Sequence, residues 1–271
     1  MFYDQKNEFF TTAIRAAKLA GQFILDNLGT ISKNEVDIKK ASDFVTRVDK
    51  ESEKIILDTI KENFPDHFFL AEESVKEDKT EGYRWIIDPL DGTTNYIHRY
   101  PVFSVSIAQE YKSEVILGVI YDPLREELFT AEKGKGAFLN KQPIKVSEVS
   151  SLKDSLITTG FPFRRKELID LYLNLFQNVF LKVSDLRRAG SAALDLAYLA
   201  CGRCEGFFEI GLSPWDIAAG EILLKEAGGV ITDFGGGSEH LSTGNIVAGN
   251  PAIHEKLLLE VKSIFAGIID K

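Results

Sequence analysis

The run Trp85-Ile86-Ile87-Asp88-Pro89-Leu90-Asp91-Gly92-Thr93-Thr94-Asn95 carries an apolar strand straight into two carboxylates and a turn of small residues. A buried strand ending at Asp88 fixes one acid at the edge of a sheet. Asp91, three residues on, is placed as the N-cap of whatever helix follows Gly92. Carboxylates attract hard cations, and unpaired N–H groups at a helix start attract phosphate oxygens. A site offering both predicts metal-assisted chemistry on a phosphoryl group.

Further acids stand elsewhere in the chain. Glu72 and Glu73 also end an apolar strand, although Glu77, Asp78 and Glu81 follow, as in a solvated acidic loop. Ser213-Pro214-Trp215-Asp216 reads as a helix start with Ser213 at the N-cap, proline at the first position and Asp216 at the third. Asp216 therefore has a structural explanation as a capping acid beside the positive helix end. Clustered acids repel one another and take up protons unless a cation neutralises them. Two divalent ions about 3.5–4 Å apart would do so and clamp a transferring phosphoryl group. Sequence alone does not show that these acids converge.

Other features carry less chemistry. Gly235-Gly236-Gly237 lacks the lysine and spacing of a nucleotide-binding P-loop and reads as a flexible turn. His98 reads as a surface or packing residue. Cys201 and Cys204 have no companion ligands at zinc spacing and follow a helical run rather than opening one, so they read as ordinary reduced thiols.

The elements that must hold the acids follow from periodicity. Apolar residues from Phe9 to Leu28 recur at helical spacing and stop near Gly29, and a second helical pattern covers Arg47 to Asn63. Ser32 to Asp43 is polar and lysine-bearing, which predicts a mobile loop. Strands are expected at His67–Leu70, Arg84–Ile87, Val102–Gln109 and Val115–Tyr121, the last two joined through Lys112-Ser113, with more hairpin structure over Gly134 to Val146. The second half alternates: strands at Ser155–Thr159, Ser184–Arg188, Gly206–Ile210, Val230–Thr232 and Ile246–Ala248. Helices are expected near Lys166–Phe180, Ser191–Ala200 and Pro214–Ala227, and from Pro251 onward. Layers of helix and sheet are implied, without their order.

With 271 residues, 44% of them hydrophobic, and no linker-like or low-complexity tract, one catalytic domain over residues 1–271 is expected. A net charge of −9 without blocks of like charge argues against non-specific nucleic-acid or membrane-surface binding. The first residues lack the pattern of a signal peptide, no apolar run approaches the roughly 18 residues that span a bilayer, and the cytoplasm is the expected compartment.

The chain resembles the inositol monophosphatase family of the lithium-sensitive sugar-phosphatase superfamily over essentially its whole length. The anchors are Ala71-Glu72-Glu73-Ser74, the Trp85–Asn95 run, and Pro214-Trp215-Asp216-Ile217-Ala218-Ala219-Gly220 with Glu226-Ala227-Gly228-Gly229. Arg188-Ala189-Gly190-Ser191-Ala192-Ala193-Leu194-Asp195-Leu196 and Gly206-Phe207-Phe208-Glu209-Ile210-Gly211-Leu212 are most similar to the bacterial branch. The resemblance implies an α+β fold, a five-layer αβαβα sandwich, and a homodimer. It implies two to three Mg2+ ions: a first on Glu72, Asp88 and the Leu90 carbonyl, a second on Asp88, Asp91 and Asp216, and a weaker third reached by Glu72. Gly92 and Thr93 would offer N–H groups to the phosphate. Thr93, hydrogen-bonded to Asp49, would orient the attacking water with Glu73 close by. Gly190, Ser191, Ala192 and Glu209 would face polyol hydroxyls.

The implied activity is Mg2+-dependent hydrolysis of inositol 1-phosphate or a related polyol phosphate, inhibited by lithium. The alternatives are fructose-1,6-bisphosphatase, alone or as a dual activity, and a regulatory role on the same fold through a protein partner. A phosphoadenosine phosphatase is disfavoured because no adenine pocket can be read. Three departures from the family pattern stand out: the loop lysine, represented by Lys39-Lys40, has no unique alignment; Leu90 replaces a common Ile; and Gly160-Phe161-Pro162-Phe163-Arg164 differs on the substrate side.

Overall fold

The computed structural model describes residues 2–31, 36–40, 43–76 and 81–269. Helix α1 (Phe2–Asp26) ends before Gly29, whose φ of 81° closes the helix as glycine readily does. Strands β1 (Val36–Lys40) and β2 (Asp43–Thr46) pair antiparallel. This corrects the expected loop over Ser32–Asp43: two short stretches satisfy their backbone groups against each other, a pairing too brief for polar composition to reveal. Residues 32–35 and 41–42 lie outside the described residues, as do the side chains of Lys39 and Lys40. Helix α2 (Arg47–Lys61) starts at Thr46, whose hydroxyl accepts from the Val48 N–H while its own N–H donates to Asp49.

A seven-stranded sheet follows: β3 (Phe68–Ala71), β4 (Tyr83–Asp91), then, after the short helix α3 (Thr93–Ile97), β5 (Ser104–Tyr111), β6 (Glu114–Asp122), β7 (Glu127–Glu132), β8 (Gly136–Leu139) and β9 (Gln142–Ile144). Strand β3 runs parallel to β4, and the rest are antiparallel neighbours in chain order. The β5–β6 turn lies at Lys112-Ser113, both with positive φ (51° and 63°), as a two-residue hairpin turn demands.

The second half holds β10 (Leu156–Thr159), α4 (Ile169–Phe180), β11 (Asp185–Arg187), α5 (Ala192–Ala200), β12 (Gly206–Glu209), α6 (Pro214–Glu226), β13 (Val230–Thr232), α7 (His240–Thr243), β14 (Ile246–Gly249) and α8 (Pro251–Phe265). Its five-stranded sheet has the order β11-β10-β12-β14-β13.

Composition explains the layering. Helices α5 and α6 are apolar on nearly every side, and such helices must be covered all round. They lie between the two sheets in one core with Ile86, Ala108, Phe207 and Ala248. Helices α1 and α2 cover the outer face of the large sheet with Trp85, Ile87 and Leu90. Helices α4 and α8 cover the outer face of the smaller sheet with Phe208 and Val247. The result is a five-layer αβαβα sandwich.

One irregularity matters for the site. Along β4 the register jumps: Asp88 opposes Ser106 and Asp91 opposes Ser104, so three steps on one strand meet two on the other. Pro89 has no N–H for the ladder, and such residues gather at bulges. Residues three apart on a regular strand face opposite ways. The bulge restores the phase, and both acids project to the face of Ile86, into the middle layer.

Candidate functional site

Asp88, Asp91 and Asp216 each present a carboxylate oxygen within 4.8 Å of the others, and all three residues are buried. Asp88 and Asp91 come from the bulged end of β4, and Asp216 from the first turn of α6. The Leu90 N–H donates to Asp88 Oδ1 at 2.9 Å across the bulge. The Ser213 N–H donates to Asp216 Oδ2 at 2.7 Å, so the capping role read from sequence is real. Capping uses one oxygen and still leaves Asp216 facing the trio, so the two readings of this residue are compatible.

Asp91 is not the N-cap expected from sequence. It closes β4, and Gly92 takes the N-cap position of α3 with φ 96°. Its carboxylate instead serves another helix: Asp91 Oδ2 accepts from the Ser191 hydroxyl at 2.5 Å and the Ala193 N–H at 2.8 Å, at the start of α5. The physical cause is the bulge, which turns Asp91 away from its own following residues.

The trio lines a cavity of about 400 Å³ together with Glu72, Leu90, Gly92, Thr93, Gly190, Ser191, Ala192 and Glu209. Thr94, Asn95, Phe163, Arg164, Arg188 and Asp195 complete much of the wall. Glu72 follows β3, beside Ile87 of β4, whose carbonyl accepts its N–H at 3.2 Å. Glu73 does not line the cavity; its N–H donates to Glu53 at 2.7 Å. Asp49 lies behind the wall, fully buried. One of its oxygens accepts from the Thr46 N–H and hydroxyl, and the other accepts from the Thr93 hydroxyl at 2.8 Å. The Leu90 carbonyl lies 3.1 Å from the same hydroxyl.

The electrostatics are those of a site whose buried acids outweigh the positive charge of Arg164 and Arg188 on its wall. Burial, then Glu72, Asp91 and Asp216, hold the Asp88 carboxyl well above the usual carboxylate range. Burial and Asp216 push Asp91 up to about 7, against the Ser191 and Ala193 donors and the Arg164 charge. Glu209 is pushed up to about 8, first by burial, with Arg188 opposing and Asp216 and Asp91 adding. Self-repelling, all-oxygen donors of this kind suit a hard divalent cation, which would return the acids to their ionised form.

Sequence reasoning missed three wall residues. Asp195 is a buried acid in an otherwise apolar helix, and that isolation was the available signal. Arg164 was noticed only as a departure, yet it ion-pairs with Asp216 at 3.1 Å. Arg188 lies on the wall beside Gly190 with no spacing rule to announce it. Cys201 and Cys204 are free thiols, both raised chiefly by burial, and no described helix is long and apolar enough to cross a membrane.

The chain is similar to known proteins over almost its whole length. The profile of the inositol monophosphatase family matches residues 5–265. Nus factor SuhB of Salmonella typhimurium is 49% identical over 253 residues, 93% of this chain and 95% of that protein. The extragenic suppressor protein suhB of Bartonella henselae superposes with a TM-score of 0.90 at 41% identity, covering 96% of this chain and 100% of that one. Inositol monophosphatase from Anabaena superposes with a TM-score of 0.86 at 42% identity, covering 96% and 97%.

Proposed function

The chain belongs to the inositol monophosphatase family, and from that premise we propose that it is a Mg2+-dependent phosphomonoesterase acting on inositol 1-phosphate. The observation that carries the reading is the buried trio Asp88, Asp91 and Asp216 beside the free N–H end of α3. Glu72, Asp88 and the Leu90 carbonyl would hold one ion, Asp88, Asp91 and Asp216 a second, with Glu72 available to a third. Bound Mg2+ would supply Lewis-acid charge that polarises the phosphoryl group and activates water near neutral pH.

The remaining roles fall to the chain itself. The N–H groups of Gly92 and Thr93 receive phosphate oxygens. Asp49 takes the Thr93 hydroxyl proton in a hydrogen bond, which leaves the Thr93 oxygen lone pairs to accept from the attacking water and aim it. Glu73, which stands outside the cavity wall, acts on that water only from a distance, through its negative charge. Gly190, Ser191, Ala192 and Glu209 face the polyol. Catalysis by positioning and electrostatics asks little covalent work of the protein. In this reading one catalytic domain over residues 1–271 works as a homodimer in the cytoplasm, and lithium inhibits it.

A phosphate-release panel with and without Mg2+, on inositol 1-phosphate, fructose 1,6-bisphosphate and phosphoadenosine phosphate, tests the reading, with a lithium arm at tens of millimolar. Metal-independent release, or none on any substrate, would overturn it. Preference for fructose 1,6-bisphosphate would move the substrate and leave the mechanism. The name of the Salmonella relative favours a second reading, in which this chain also acts as a Nus factor through a protein partner. A pull-down with the wild type and Asp216→Asn tests it: a partner recovered equally by both supports a role separate from catalysis.

A further inference from the structure

Arg164 sits on the connection 160–165 that leaves β10 and reaches the acid trio. Its Nη1 donates to Asp216 Oδ2 at 3.1 Å and faces the Gly211 carbonyl at 3.4 Å. The guanidinium also lies 4.8 Å from the centre of the Phe163 ring. The Arg164 side chain is 25% exposed and that of Asp216 only 8%, so the cation enters from the rim while the acid stays inside. Asp216 does not depend on this bond for its orientation, because the Ser213 N–H holds the same oxygen at 2.7 Å. Holding the side chain in place is therefore a task already done. The arginine's distinctive contribution is charge.

We propose that Arg164 is a placeholder cation: it offsets the charge of Asp216 while no divalent ion is bound, and it competes with the incoming ion, so that it lowers the affinity of the trio for Mg2+. The proposal rests on the metal reading above. A buried cluster of acids without a cation repels itself, and a guanidinium against one member relieves part of that repulsion. The same positive charge opposes a divalent cation a few ångströms away, where screening by water is weak. A guanidinium does not shed its proton, so the conflict is not removed by titration. The Phe163 ring and the Gly211 carbonyl are contacts that Arg164 keeps if its bond to Asp216 is broken. In this account Arg164 acts through the charge it sets against Asp216 and touches neither substrate nor the reacting atoms.

The competing account is a structural strap that merely ties the connection 160–165 to α6. Charge and hydrogen bonding separate the two. Calorimetric titration of Mg2+ into the ion-stripped, substrate-free full chain compares the wild type, Arg164→Gln and Arg164→Lys, with thermal melts of each in its ion-free and Mg2+-saturated forms. The proposal expects Arg164→Gln to bind Mg2+ at least about tenfold tighter than the wild type. Arg164→Lys, which keeps the charge, stays within about threefold of the wild type by the same reasoning. The ion-free midpoint of Arg164→Gln falls while its saturated midpoint does not.

Equal or weaker Mg2+ binding by Arg164→Gln overturns the proposal. So does a strap-like result, in which both variants lose stability alike with and without the ion. Arg164→Met, which keeps an apolar stem against Phe163 without the charge, repeats the test if the Gln variant does not fold. A wild type that binds no Mg2+ overturns the metal reading and this proposal together. A wild type that binds it, with affinity unchanged by loss of the charge, sinks the role of Arg164 alone.

Discussion

Asp91 shows how one side chain serves both the fold and the proposed chemistry. Its carboxylate caps the start of α5 and at the same time faces two other acids, a conflict that pushes its pKa up to about 7. Asp91→Asn removes one negative charge from a self-repelling group and one oxygen ligand from the proposed ion site. Supporting residues around metal ligands commonly cost about 10–100-fold when lost, so removing a ligand is expected to lower phosphate release at least about a hundredfold. The ion-free variant is expected to melt on the order of 2–4 °C higher, because each kcal/mol of relieved repulsion moves a chain of this size by about that much. Phosphate-release assays and chelator-treated melts read the two effects. Near wild-type activity would remove Asp91 from the site. The carboxylates were legible in sequence because their motif is long and ordered. Arg164, Arg188 and Asp195 were not, since a lone arginine on a loop or a lone acid in a helix has many ordinary explanations. Only the fold, which carries the connection 160–165 and the start of α5 to β4, singles them out.

At the scale of elements, α6 carries Asp216 and is set in place by its packing on the large sheet. Gly118 of β6 allows this: a Cβ there would meet Ile222 Cγ2 at 2.6 Å and the Ala219 carbonyl oxygen at 2.7 Å, both on α6. Backbone cannot step aside as a side-chain tip can, so Gly118→Ala is expected to push α6 off the sheet at a cost of about 1–3 kcal/mol. Because Asp216 rides on that helix, Mg2+ affinity should fall as well. Urea unfolding measures the first effect and calorimetry the second; an unchanged Mg2+ affinity would show that the first turn of α6 is placed independently of Gly118. Gly92 offers a second probe at this scale. It combines φ of 96° with a Cβ position 2.9 Å from the Val102 carbonyl oxygen. Gly92→Ala is expected to cost about 1–3 kcal/mol, measurable by the same unfolding experiment, and to misalign the N–H groups offered to phosphate. Most elements were legible within a residue or two: the β5–β6 turn came from Lys112-Ser113, and the start of α6 from Ser213-Pro214. The β1–β2 pair was hidden by polar composition, β7 fell between two recognised segments, and α7 is a single turn without periodicity. The bulge in β4 was invisible because its signature is a register with β5, which no local pattern contains.

At the scale of the whole molecule, the proposed site exists only where layers meet. The large sheet supplies Glu72, Asp88 and Asp91, the middle helices supply Ser191 and Asp216, and the smaller sheet supplies Glu209. Folding therefore concentrates negative charge in one buried place, and stability should depend jointly on pH and on the divalent ion. In an unfolded chain Asp91 titrates near its ordinary value of 3.8, while in the folded ion-free protein it is pushed up to about 7 and Asp88 is also raised. Between those limits the folded state holds protons that the unfolded chain has released. The contribution of these groups to stability is thus most favourable at low pH and is lost as pH rises from about 4 through about 7. Mg2+ reverses the trend, because it binds ionised carboxylates and gains hold as their protons leave. The expected outcome is a pair of melting profiles that diverge: little difference between chelator-treated and Mg2+-saturated protein near pH 5, and a clear one at pH 8. Ligand at a hundred times its dissociation constant stabilises by about 2.7 kcal/mol, which corresponds to about 5–10 °C for a chain of this length. Asp216→Asn should flatten the divergence by removing a ligand from the trio. Mg2+ stabilisation that is equal at pH 5 and pH 8, or that is undiminished in Asp216→Asn, would leave no ion shared by these three acids.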